Sequence, residues 1–585
     1  MRLPLYLFCC LVSLTSLRAA PLISIVYGDT TLRSAEDKPF TRNRAVRFQR
    51  LLDSVGAESS VHSDSALDAA FAPPHKVAHL VNVQTLPRAE FKKVMKFVEG
   101  GGRLVVHGSM DSSLAALFGL EAPVQTDLEK VAPGFTFAGK RPLNAPAQIR
   151  NSVAMIFDVK PKPKSSAEII AFWDGTGNAA VVKAPAGVWV TRVMMDDGER
   201  LAKAKTLVAL SGLCHIEVWG AAARRLRAEI KLSLGAPTIA EAAGELRRHC
   251  PQAKRKTLDA IVLELEKAEK ATAEKFAAKA LAGAMPHLWQ MRELMLKAQA
   301  VATDLKTEGK TVAVWISSPS ALCGDGGWEP VATRLRAAGV NTAFVSVPAL
   351  EWNPGDGFEA LAPVFRAAGI KTQIWVQVGK SDPARRAELA KDKRLLLDAK
   401  GAVLDWYDIA DKRNAAEITG NIAALAGRFN PDGIHLDYIR YPADYGLVAR
   451  EQKCKATTEL LRAIRASVKP PLQLTAAVYQ NGEPNGVGQS WFEWMKAGLL
   501  DYAVPMNYTP SETKLAEICA VQAGKADASK LICGIGVISF ESNLDPYQTV
   551  KQATAALGQN FAGMAFYHCD ASFVSEMTPV LEAAK

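Results

Sequence analysis

The sequence predicts an α/β protein in which a C-terminal (β/α)8 TIM barrel follows an N-terminal parallel-sheet domain of flavodoxin-like type and a helical connector. Three observations predict it. At 585 residues the chain is too long for one hydrophobic core. From Thr311 onward eight short β-rich apolar runs alternate with eight amphipathic runs, without a topological break, which favours a closed barrel over an open doubly wound sheet. Residues 22–109 carry a separate strand–helix series, and a stretch rich in Ala, Glu, Lys, Leu and Arg divides the two.

Residues 1–20, MRLPLYLFCCLVSLTSLRAA, join Arg2, an apolar stretch from Leu3 to Leu14 and small residues at Ala19 and Ala20. That is signal-peptide architecture, and its apolar part is too short to span a bilayer. A secreted or periplasmic location follows. Cys9 and Cys10 lie inside the apolar stretch, which does not indicate lipid anchoring. No later apolar segment is long enough to cross a membrane.

Residues 21–220 read LISIVYG (22–28), an amphipathic stretch from Arg42 to Val55, VAHLVNV (77–83) and PRAEFKKVMKFVEGGGRLVVHGS (87–109). The last piece opens a helix at Pro87 and closes it at a glycine triplet before a β-branched run. AEIIAFWDG (167–175) and VWVTRVMM (188–195) complete the domain. The series resembles the class I glutamine-amidotransferase-like domain, whose nucleophilic cysteine sits on a tight turn after a middle strand. No cysteine stands between Cys10 and Cys214. The resemblance therefore implies a non-catalytic module with a structural or glycan-docking role.

Residues 221–307 form the helical connector, in which LDAIVLELEKAEKATAEKFAAKAL repeats apolar residues every three or four positions. The barrel occupies 308–585. Its strands are expected at 311–317, 342–347, 371–378, 432–438, 472–479, 501–507, 530–536 and 562–568. Helices are expected at 329–338, 358–368, 414–427, 449–467, 489–498, 511–523, 546–557 and 571–584.

Composition excludes several functions. The net charge of +10 comes from dispersed Lys and Arg, and the one cluster, RRHCPQAKRK (247–256), marks a helix end or turn rather than a nucleic-acid surface. Cys214, Cys250, Cys323, Cys454, Cys519, Cys533 and Cys569 form neither a disulfide framework nor a CxxC pair. EGGGR (99–103) is a turn and not a phosphate loop, so no cofactor is expected. His435 and His568 lack the spacing of metal ligands, so no metal is expected either.

In a barrel of this type the chemistry lies at the C-terminal ends of the strands. PDGIHLDYIRYP (431–442) puts Asp437 at such an end. Alternation predicts that Gly433, His435 and Asp437 face inward while Ile434 and Leu436 face the helices. Asp437 is the first candidate catalytic carboxylate; the bland reading has it accept hydrogen bonds from Arg440 or loop amides. Acid–base catalysis by a carboxyl ordinarily calls for a second one. Glu541 is favoured for it, with Asp570, Glu351 and Glu483 on other strand-end loops as alternatives. Trp375, Trp352, Tyr438, Tyr441 and Tyr508 offer apolar stacking faces with polar edges, Trp375 serving equally as core filling. Gln377, Asn507 and Arg440 offer hydrogen bonds, and His435 and Asp570 complete the candidate substrate-binding set.

DGIHLDYIRYP resembles the signature strand of glycosyl-hydrolase-like family ten, a group of secreted (β/α)8-barrel proteins. GVNTAFVSV (339–347), AAGIKTQIWVQV (367–378) and DYAVPMNY (501–508) resemble its second, third and sixth strand units. A more distant likeness is to the chitinases, whose fourth strand reads DGxDxDxE and whose sixth reads MxYD. Asp432, Gly433, Asp437, Met506 and Tyr508 match, but His435, Ile439 and Thr509 replace an aspartate, the catalytic glutamate and another aspartate. Chitinase-style substrate-assisted hydrolysis is therefore not expected. The resemblance implies a secreted O-glycosyl hydrolase acting on an envelope or extracellular polysaccharide, or else a carbohydrate-binding protein on a degenerate barrel. Either takes a carbohydrate polymer as partner.

Overall fold

The structure is a computed structural model describing residues 20–31, 38–126, 134–139, 141–150, 157–194, 199–323, 327–347, 357–443 and 445–585. Apart from Ala20, the signal peptide lies outside the described residues, as do Glu351 and Trp352. No described helix is long and apolar enough to cross a membrane. The chain divides into two compact units, Met1–Ala242 with Leu263–Glu293, and Ala243–Val262 with Leu294–Lys585.

The first unit is built on a nine-stranded sheet. Ser59–Ser63, Ile23–Tyr27, Val77–Val81, Arg103–His107 and Gly187–Val190 lie side by side and parallel. The helices Lys38–Ser54 and Arg88–Glu99 supply crossovers of the length that parallel pairing requires. Beyond Gly187–Val190 the sheet continues antiparallel through Ala179–Ala184, Glu168–Trp173, Gly134–Phe137 and Gln148–Arg150. This antiparallel extension is additional to the parallel series read from the sequence. The tight left-handed turn after Val77–Val81 is made by Asn82, with φ 57°. Cys214 lies on the helix Arg200–Cys214, where burial pushes its thiol up to about 12.

The second unit contains eight parallel barrel strands, in chain order β1 (Thr311–Ile316), β2 (Thr342–Ser346), β3 (Lys371–Gln377), β4 (Gly433–Asp437), β5 (Gln473–Val478), β6 (Tyr502–Pro505), β7 (Ile532–Gly536) and β8 (Gly563–Tyr567). Neighbours in sequence are neighbours in space, and β8 pairs with β1. Parallel bridges at Ala503–Leu531 and Met506–Gly534 join β6 to β7. Sequence and structure thus agree on a (β/α)8 barrel, nearly closed, strand bounds matching within two residues. One insertion stands outside the regular repeat, a hairpin of Leu395–Leu397 and Val403–Tyr407 between β3 and its helix Lys412–Phe429.

Alternation sorts the side chains into two shells. Ile434 and Leu436 of β4 join the large apolar cluster between strands and helices. Ala313, Trp315, Phe344, Trp375, Ala477, Val504, Ile532 and Ala565 fill the interior. Through this layer runs a polar chain. The Trp315 indole N–H donates to His435 Nε2 at 2.9 Å, and His435 Nδ1 meets Thr475 Oγ1 at 2.8 Å. Thr475 donates to Gln373 Oε1 at 2.7 Å, and Gln373 donates to Gln473 Oε1 at 3.1 Å. Because Nε2 accepts, the ring proton sits on Nδ1. Burial pushes His435 down to about 3, so the imidazole is neutral and its donors and acceptors are all matched.

Candidate active site at the barrel mouth

The site begins where β4 ends. Asp437 follows His435 on the same strand face and is 7% exposed. Its Oδ2 accepts from the Trp375 indole N–H at 3.1 Å, and its Oδ1 accepts from the Tyr438 amide at 2.7 Å. The second bond requires the chain to double back at once. Tyr438 does so with φ 51°, a conformation a tyrosine rarely adopts and holds only when its surroundings enforce it. Gly379, after β3, makes room for the return, since a Cβ there would stand 2.5 Å from the Tyr438 carbonyl oxygen.

Burial raises the proton affinity of Asp437 above its ordinary value, against the opposing effects of the Tyr438 amide, the Arg440 charge and the Trp375 N–H. Asp437 and Arg440 form no ion pair. The Arg440 guanidinium instead lies over aromatic rings, 4.5 Å from Tyr438, 5.0 Å from Tyr479 and 5.3 Å from Trp406. Trp406 comes from the hairpin inserted after β3, and Lys380 Nζ sits 4.6 Å over its ring while pairing with Asp405 at 2.8 Å.

Across the mouth, Tyr508 after β6 stacks on Tyr567 of β8 at 5.4 Å. Gly536 on β7 admits it closely, because a Cβ there would lie 2.8 Å from Tyr508 Cγ. Burial pushes the Tyr508 phenol well up, and the charges of Tyr567, Asp437 and Glu541 push in the same direction. Tyr508 is thus within electrostatic range of both candidate carboxylates.

The structure separates the other candidates. Glu541 is exposed and has no side-chain hydrogen bond or ion pair among the described residues. Glu483 pairs with Lys525 at 2.6 Å. Asp570 Oδ1 accepts the Phe573 amide at 2.8 Å, at the start of the C-terminal helical segment. Gln377 is exposed and in register with Asp437 across β3 and β4.

Four expectations are corrected. Trp375 is 5% exposed and belongs to the interior layer, so it holds Asp437 rather than offering a face to a sugar. His435 is 0% exposed with both nitrogens bonded, and cannot reach a ligand. Asn507 is buried away from the mouth, its amide exchanging two 2.9 Å bonds with Gln522 of the helix Glu512–Lys525. Tyr441 is 1% exposed and faces the core. The residues not foreseen are Trp406, Lys380, Tyr479 and Tyr567. Tyr479 and Tyr567, at strand ends, carried a positional signal; Trp406, on an inserted hairpin, carried none.

Among the described residues no cluster of His, Cys, Asp and Glu could hold a metal ion.

No family model matches the chain, and no curated protein matches it. Among solved structures, a family GH18 chitinase from Cycas revoluta in complex with allosamidin is 14% identical, covering 47% of this chain and 98% of its own, with a TM-score of 0.34. The spore cortex-lytic enzyme SleL of Bacillus cereus is 11% identical over 47% of this chain and 75% of its own, with a TM-score of 0.34. An alpha-galactosidase from Thermus thermophilus in complex with stachyose is 17% identical over 50% of this chain and 68% of its own, with a TM-score of 0.33.

Proposed function

We propose that the barrel is a glycoside hydrolase acting on an envelope or extracellular polysaccharide, with Asp437 as one catalytic carboxylate and Glu541 as the second. One observation carries this reading. Asp437 is a buried carboxyl at a strand end, held by two hydrogen bonds, without an ion pair among the described residues and shifted toward the protonated form. A carboxyl shifted toward its protonated form suits proton donation to a glycosidic oxygen. Glu541, solvent-accessible and without a side-chain partner among the described residues, has the freedom to activate water or to attack. Tyr438, Tyr479 and Tyr508, each partly exposed, supply apolar faces with polar edges around it. Export through the segment 1–20 belongs to the same proposal, as does separate folding of residues 21–220 and 308–585.

A second reading has its own observation. Ile439, two residues beyond Asp437, is 0% exposed and packs in the core, so no carboxylate stands there. A barrel that binds a glycan without cleaving it would look like this if Glu541 took no part.

Reducing-end release from a panel of glycans, peptidoglycan strands included, tests the first reading. Asp437→Asn is expected to lower turnover by about two to four orders of magnitude without lowering the melting temperature by more than a few degrees. A folded, fully active Asp437→Asn protein would overturn the assignment. Glycan binding without release by the unaltered protein would favour the second reading.

A further inference from the structure

Arg440 stands apart from the other arginines of the barrel. Arg385, Arg394 and Arg465 are likewise shielded from solvent, and each donates to a carboxylate: Glu417 at 2.7 Å, Glu417 at 2.6 Å and Asp501 at 2.9 Å. The Arg440 side chain donates to nothing among the described residues. Its Nε is buried and lacks a hydrogen-bond partner. The three rings around it engage the faces of the guanidinium, but an aromatic face cannot satisfy the N–H groups that lie in the plane.

A guanidinium is a planar fork that matches an oxyanion through two parallel N–H bonds. Here the fork is stiffened by Tyr438, Tyr479 and Trp406, so that little side-chain freedom remains to be lost on binding. Asp437, close enough for the two charges to interact, does not close the pair. Lys380, over the same Trp406 and Tyr438 rings, is already paired with Asp405 at 2.8 Å, which leaves Arg440 as the unpaired cation of this ring cluster.

Resting on the glycoside-hydrolase reading, we propose that the mouth selects a saccharide bearing a carboxylate, such as a uronic acid or an acid-ether-substituted hexosamine, and that Arg440 is the residue that recognises it. Neutral glycans of the same backbone bind more weakly, because they offer the guanidinium no anionic partner.

The test measures calorimetric binding of matched probes to the full chain and to Arg440→Gln and Arg440→Lys. The probes are a GlcNAc–MurNAc tetrasaccharide and tetragalacturonate, each also with its carboxylates reduced to alcohols, together with chitotetraose. At least one acidic probe is expected to bind the unaltered protein about ten-fold or more tightly than its reduced form, with the gap narrowing as salt rises. Arg440→Gln is expected to bring the two forms within about two-fold of each other, and Arg440→Lys, which keeps the charge but not the fork, to leave a partial gap. Equal binding of acid and reduced forms by the unaltered protein would overturn the inference. So would a gap that survives in Arg440→Gln with an unchanged melting temperature. If Arg440→Gln does not fold, an undiminished gap in Arg440→Lys overturns it instead. Binding of neutral probes alone sinks this inference and leaves the hydrolase reading standing, whereas binding of none removes both.

Discussion

Two buried aspartates, one in each unit, end β-strands in similar positions and differ in what they receive. Asp64, just past Ser59–Ser63 in the first unit, is 1% exposed. It accepts five hydrogen bonds from the loop 29–31: the Asp29, Thr30 and Thr31 amides and the Thr30 and Thr31 hydroxyls, at 2.6–3.1 Å. Asp437, at the end of β4, is 7% exposed and accepts two. Burial raises the proton affinity of both; at Asp64 the Thr31, Thr30 and Asp29 donors outweigh it and the carboxyl ends below its ordinary value, while at Asp437 burial prevails. Burial alone therefore does not set the direction of a carboxyl's shift; the number of donors aimed at it decides.

The sharpest way to break this comparison is to neutralise each in turn. Asp437→Asn should cost two to four orders of magnitude in glycan turnover while folding stability changes by no more than about 1 kcal/mol, one hydrogen bond being offset by the removal of a buried charge. Asp64→Asn should leave turnover untouched and lower the stability of the first unit by about 3 kcal/mol, since several charge-assisted bonds are lost together. Urea unfolding and turnover on the same two variants decide. A matched pair of effects would show the two carboxyls to be doing the same job.

The pH dependence of the two carboxyls has opposite sign. Asp64, held low, contributes stability above its ordinary value of 3.8 that is lost as the pH falls through the folded-state value. Asp437, held high, retains a proton that the unfolded chain has released, so stability declines as the pH rises from about 4 toward its folded-state value. Asp437→Asn should therefore compare better with the unaltered protein at pH 7 than at pH 4. The reverse order in melting temperatures would contradict the raised value.

Histidines sharpen the contrast between the interiors. In the first unit His79 Nδ1 meets His107 Nε2 at 3.1 Å, and His79 Nε2 meets the Ser211 hydroxyl at 2.8 Å, all 0% exposed. Burial takes His79 to about 3 and His107 well below its usual range, with the neighbouring His79 pushing His107 the same way. The barrel holds one such residue, His435, also at about 3. Each is neutral when folded but charges when unfolded below about pH 6.5, so stability falls with pH from 6.5 downward. At pH 5 the loss is about 2 kcal/mol for each histidine near 3. Hydrogen exchange followed at pH 7 and pH 5 should show the first unit losing protection more steeply than the barrel, and His435→Gln should flatten the barrel's response. Equal slopes in both units would count against this account.

How far the sequence carried the description follows from the same physics. The barrel strands were legible because each is a short apolar run bounded by turns, and period-two alternation put Ile434 and Leu436 outside and His435 and Asp437 inside. Ser59–Ser63 was missed because SSVHS is a polar edge strand with no apolar run. The antiparallel arm of the first unit and the hairpin 395–407 break the repeat that made the other elements visible. Site residues were less legible than strands. Trp375 and Asn507 sit at strand ends in the expected places, but alternation gives a face and not a partner. That Trp375 turns its N–H to Asp437, and Asn507 its amide to Gln522, depends on groups 62 and 15 residues away.

Trp375 offers the finest test of what tunes Asp437. Trp375→Phe keeps most of the interior volume and removes the indole N–H that opposes burial at this carboxyl. The Tyr438 amide and the Arg440 charge remain, so Asp437 should move further up. A hydrogen bond to a charged group contributes roughly 1.5 kcal/mol, equivalent to about one pH unit. The limb of the pH–rate profile that reports Asp437 should therefore shift upward by about that amount, toward the alkaline side whether the group acts as acid or as base. The maximal rate should change far less than in Asp437→Asn, because the carboxyl is still present. A profile that moves downward, or does not move while the maximal rate collapses, would mean that Trp375 acts by packing and not through the bond to Asp437.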